Sequence, residues 1–144
     1  MSKKCFKVEL IGNPCILVRE VLPFDDEETT KEKNKKPFIA LKTAILKVVY
    51  GDREYLLSNP SGYTYDGASI PFKIGKGNMK LLIPSLYHDL MCDDKSIIDF
   101  DRKLSSMIFK ELLIQCNVNK VTAQIMYLAV DSYQRFMTGW KKCK

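Results

Sequence analysis

His88 is the only histidine in the chain, and it stands beside Asp89. Twenty-odd residues earlier lies Tyr63-Thr64-Tyr65-Asp66-Gly67-Ala68-Ser69-Ile70-Pro71, with a carboxylate and a hydroxyl, Asp66 and Ser69, three residues apart. On a helix, Ser85, His88, Asp89 and Cys92 fall on one side, because spacings of three and four share a face. An imidazole, two carboxylates, two hydroxyls and a thiol could therefore converge between a loop and a helix. Three chemistries suit such a set. Asp66, His88 and Asp89 could hold a divalent metal and activate water, the site of a small metal-dependent hydrolase. Ser69 could act as a nucleophile, with His88 as base and Asp66 as orienter. Or the residues form a structural polar clasp: His88 donates to Asp66 or a loop carbonyl, and Asp89 accepts amide hydrogens from Gly67–Ser69. Adjacent residues on a regular helix diverge by about 100°, which sets His88 against Asp89 as ligands of one ion. The serine lacks the G-x-S-x-G turn of a nucleophile elbow. The clasp is the favoured reading.

The elements that must position these residues follow from periodicity. Phe6, Val8 and Leu10 alternate with Lys7 and Glu9, a strand pattern that Gly12-Asn13-Pro14 ends. Cys15 to Leu22 resumes it. Asp25 to Lys36 contains no apolar residue, acidic first and basic after, and reads as a charged solvated loop or a partner-binding arm. Phe38 to Tyr50 is the strongest strand signal, with Ala44, Leu46, Val48 and Tyr50 on one face. Gly51-Asp52 is a hairpin turn into Glu54–Leu57, and Asn59-Pro60-Ser61-Gly62 is a second reversal. Gly67 and Pro71 make the 66–71 loop a rigid turn.

After Lys80 the period becomes 3.6. Leu82, Leu86 and Leu90 mark a first helix with Pro84 in its opening turn, its polar side lying away from that stripe. Ser96 with Asp99 reads as the cap of a second, whose stripe is Ile97, Phe100, Leu104, Met107, Ile108 and Leu112. Asn117 or Asn119 opens a third. It carries two apolar stripes, one of them Val121, Ile125, Leu128, Ser132 and Phe136, so it is expected at the centre of the core. The expected fold class is α+β: an N-terminal antiparallel β-sheet or meander followed by three C-terminal helices packed on it. One domain over residues 1–144 is expected, strand-rich over 1–66 and helical over 66–140.

The pairing of DGASIP (66–71) with a helical His-Asp (88–89) resembles a small bacteriophage and prophage family of unknown function. The resemblance runs from about Gly62 to Phe136. It implies a phage or prophage origin and a shared fold for the C-terminal half, and it brings no activity. Members carry a pattern similar to R-x-x-A-D-x-x-F in the second helix. Here Arg102 to Phe109 matches it, with Ser106 where that acid is expected. The basic residue that follows the proline in the family is also displaced, Phe72 preceding Lys73.

Composition bounds the rest. A chain of 144 residues, 46% hydrophobic and 28% charged, has room for one well-buried core and excludes a disordered tail or disulfide scaffold. Lys and Arg number 23 against 17 acids, a net charge of +6 that reads first as solubility. It also admits a nucleic-acid binder, ranked last because no DNA-binding motif accompanies it. Five widely spaced cysteines without a CxxC pair read as reduced thiols in a cytoplasm. Met1–Lys4 does not lead into a signal-peptide core, and no apolar run approaches the ~20 residues of a membrane span. The expected function is that of a phage-encoded interaction or structural protein, virion- or tail-associated or bound to a host factor. Its expected place is the host cytoplasm, with incorporation into the virion as the variant.

Overall fold

The computed structural model of the protein describes residues 5–66, 79–99, 101–137 and 140. Alternation builds the first half. In β1 (Phe6–Ile11), Val8 points inward between exposed Lys7 and Glu9, and in β4 (Ile45–Tyr50) Leu46 and Val48 do the same. β1 and β4 pair antiparallel from Phe6↔Tyr50 to Ile11↔Ile45. Gly51, at φ 66°, turns β4 into its antiparallel neighbour β5 (Arg53–Ser58). This gives one sheet in the order β1-β4-β5. A second sheet, in the order β2-β3-β6, joins β2 (Ile16–Val18), β3 (Phe38–Ala40) and β6 (Tyr63–Tyr65). The Phe38–Tyr50 run is thus two strands in two sheets, broken at 41–44, where the backbone amide of buried Ala44 donates to Asn59 Oδ1 at 3.0 Å instead of entering a ladder.

Between β2 and β3 the structure corrects the expectation of a charged loop at 25–36. Residues Glu27–Lys35 form a helix, α1, with no buried residue. Asp26 caps it by accepting from the Thr29 amide at 2.6 Å, and Glu27 and Glu28 at its start with Lys33 and Lys35 at its end suit the helix dipole. Arg19 pairs with Glu32, and Lys33 Nζ reaches Asp25 Oδ2 at 2.7 Å and the Glu20 carbonyl at 3.0 Å. Ionic ties substitute here for an apolar face.

Three helices follow: α2 (Leu82–Asp93), α3 (Arg102–Gln115) and α4 (Lys120–Ser132), confirming an α+β architecture. Two short 3₁₀ turns, Met79–Leu81 and Lys95–Ile98, lead into α2 and α3, and a π-helical turn, Tyr133–Met137, continues α4. The start of α3 differs from expectation. Its cap is Asp101, which accepts from the Leu104 amide at 2.9 Å, because Asp99 is left-handed at φ 52° and stops any helix begun at Ser96. Asn119 caps α4 as expected.

The main core lies between the strands and α2 and α3, around Leu46, Val48, Leu57, Leu86, Met91, Leu104, Ile108 and Leu112. α4 is the second correction. It buries only Ala123 and Val130, against Leu81, Phe109 and Leu113 of α2's approach and α3, and leaves the Val121 stripe in solvent. α2 occupies the central position instead, with eight of its twelve residues buried.

Candidate functional site

Ser69 and the loop Gly67–Pro71, together with Phe72 and Lys73, lie outside the described residues. Asp66, His88 and Asp89 are described. The polar side of α2, which lies away from its leucine stripe, is also inside: Ser85, His88 and Asp89 are all buried. Burial on both sides of α2 explains this: β6 lies on one side and α3 on the other.

His88 faces α3. It is completely buried, with its ring edge-on to Phe109 at 5.4 Å between centroids. Desolvation there holds the imidazole pKa far below its ordinary range, at about 3, so the ring is neutral at physiological pH. Cys92 Sγ lies 3.8 Å from Nδ1, one turn along the helix. Ser105, one turn before Phe109 on α3, is fully buried, and its hydroxyl finds no hydrogen-bond partner among the described residues.

Asp89 faces β6. Its charge is felt by both Tyr63 and Tyr65, whose phenols burial holds well above their usual pKa, with acidic neighbours adding to the shift. Tyr63 donates to Asp93 Oδ2 at 2.5 Å, and Tyr65 donates to the Leu82 carbonyl at 2.8 Å, shared with the Ser85 hydroxyl at 3.1 Å. On the sheet side, Tyr87 donates to Asn59 Oδ1 at 3.1 Å, and Asn59 Nδ2 donates to the Lys42 carbonyl at 2.8 Å. Polar contacts thus tie α2 to two elements: Asp93 and the Leu82 carbonyl to Tyr63 and Tyr65 of β6, and Tyr87 to Asn59 in the turn after β5. Asp66 itself is exposed, directly after β6.

Among the described residues, no group of three or more His, Cys, Asp and Glu side chains is placed to hold a metal ion. Asp66, His88 and Asp89 belong to that set. Residues 67–78 contribute no His, Cys, Asp or Glu.

One polar cluster escaped the sequence reading. Ser106, where an acid was expected, donates to Asp131 Oδ1 of α4 at 3.0 Å, and Arg102 forms an ion pair with the same carboxylate. The α3 position that lacks an acid is met by one from α4, twenty-five residues on. The signal in the sequence was the charge of Asp131 itself, the one acid of α4.

A comparison with protein families matches residues 45–130 to the family described as "Protein of unknown function (DUF1353)". No curated protein and no solved structure gives a significant match. The match covers more than half of the chain, and the protein belongs to that family.

Proposed function

We propose that this family member is a bacteriophage-encoded interaction or structural protein, associated with the virion or its tail or bound to a host factor, and that Asp66, His88 and Asp89 serve its fold. The burial of His88 carries this reading. A neutral imidazole packed against Phe109, with no solvent exposure, is placed to hold α2 to α3 rather than to exchange protons with a substrate. Asp89, its neighbour, lies near Tyr63 and Tyr65 of β6, which feel its charge. A metal-dependent hydrolase built on Asp66, His88 and Asp89 would need the three to face one ion.

An apolar display supports the interaction role. Leu17, Val18, Val21, Leu22 and Phe24 are all exposed, Phe24 to 83%. Their segment is pinned, since the Leu22 amide donates to Asp25 Oδ2 at 2.7 Å and the Asp25 amide to the Leu22 carbonyl at 3.0 Å. A preordered aromatic in water lowers the entropy cost of docking.

The test pairs metal analysis with thermal melts of the wild type and His88→Ala. A metal-free wild type, with the variant destabilised by about 2–4 kcal/mol, is expected. Stoichiometric zinc or manganese that disappears from a folded variant would establish the hydrolase instead. Association with virions or one host protein, weakened by Phe24→Ala, is the matching expectation for the display.

A further inference from the structure

The α4 face opposite Ala123 and Val130 is an apolar seam. Val121, Ile125 and Leu128 are 71%, 61% and 54% exposed, and Phe136 is 72% exposed. Val121, Ile125 and Leu128 are spaced four and three, as on one side of a coiled-coil helix. The π-helical turn Tyr133–Met137 advances fewer degrees per residue than an α-helix, which carries Phe136 back towards the line of Leu128.

One flank of the seam is a polar row: Lys120, Gln124, Asp131 and Arg135. Its central members are engaged within the protein. Gln124 Oε1 accepts from Lys110 Nζ at 2.5 Å, and Asp131 is paired with Arg102. Lys120 and Arg135 are exposed, and among the described residues neither forms an ion pair; Arg135 lies over the Phe136 ring, 5.1 Å from its centroid. The other flank, Thr122 and Ala129, is uncharged.

We infer that this seam docks an amphipathic helix of a partner protein, apolar at a and d positions and acidic along one edge. The inference extends the interaction role above to a class of partner. Charge selects the occupant. A second copy, antiparallel across the seam, would bring its own basic row against this one, setting Lys120 beside Arg135. A membrane-surface helix carries a wide apolar face with cations on both sides, whereas this stripe is narrow and basic on one side only. An acidic edge meets Lys120 and Arg135 while the apolar residues cover Val121, Ile125 and Leu128.

The probes are two synthetic three-heptad peptides with leucine at a and d, one with glutamate and the other with lysine at e and g. Titrated into the whole protein at fixed ionic strength, the glutamate peptide is expected to bind about tenfold more tightly or better than its lysine twin. Leu128→Glu should abolish that binding without moving the melting temperature, because Leu128 already faces water. Lys120→Glu with Arg135→Glu should abolish the preference. Equal affinity for the two peptides, or no binding of the acidic one, refutes the inference. So does concentration-dependent dimerisation lost in Leu128→Glu, or partition onto phosphatidylserine vesicles lost in the same variant. The bound-metal result for His88→Ala does not enter this test, so the seam and the clasp stand or fall separately.

Discussion

Helices α1 and α2 invert the usual relation between polarity and place. α1 has no apolar residue and buries nothing, yet it is a regular helix held by Asp26, the Arg19–Glu32 pair and Lys33. α2 carries Ser85, His88 and Asp89, and all three are inside. The difference teaches that a polar residue dictates how it must be satisfied, not how deep it lies. In α1 the partners are charges at the surface, each worth little. In α2 they include buried contacts such as Tyr65 to the Leu82 carbonyl and Tyr87 to Asn59, each costly to lose.

The contrast can be broken most forcefully at Leu86, which is fully buried beside the polar groups of α2. Leu86→Ala should lower the unfolding free energy by about 2–5 kcal/mol in a single cooperative denaturant transition. A loss below about 1 kcal/mol would mean that α2 is not the centre of the fold.

Acid sharpens the contrast next. The unfolded chain protonates His88 below about pH 6.5, whereas the folded chain, with its pKa near 3, does not. The unfolded state therefore binds the extra proton, and stability falls as pH drops through that window, with a slope approaching 1.4 kcal/mol per pH unit. Denaturation between pH 6.5 and 5, above the range where carboxylates titrate, should show this slope in the wild type and lose it in His88→Gln. An unchanged slope in the variant would place the sensitivity elsewhere.

At α1 the expected effect is smallest and local. Arg19→Ala should remove amide-exchange protection from Glu27–Lys35 while the global melt stays in place, and added salt should act on the wild type in the same direction. A global loss would show that α1 is wired into the core after all.

Much of this was legible in the residues. The turn at Gly51, the cap at Asn119, Pro84 inside the first turn of α2 and the alternation in β1 and β4 are local signals that the structure honours. α1 was hidden because its apolar period is absent, though Asp26, the acidic first turn and the basic last turn spelled a helix. α4 was misplaced for another reason. Two apolar stripes identify a helix and say nothing about which of them the neighbours cover, and here small Ala123 lets α4 approach α3 while larger Val121 and Ile125 stay outside. Within the site, the existence of a polar set on α2 could be read, but not its division. That His88 meets Phe109 while Asp89 lies near the tyrosines is a matter of what packs on either side, and Ser106 meeting Asp131 depends on the crossing of two helices.

The family match begins at Ile45, the first residue of β4, yet neither sheet respects that boundary. β4 pairs with β1, and β6 with β3, so each sheet is stitched from one piece inside the match and one outside it. An excised 45–130 fragment would carry β4 and β6 with raw hydrogen-bonding edges, the template on which strands from different molecules add to one another. The segment before the matched region is thus also what caps its strands, and a reagent trimmed to residues 45–130 would bare those strands to one another.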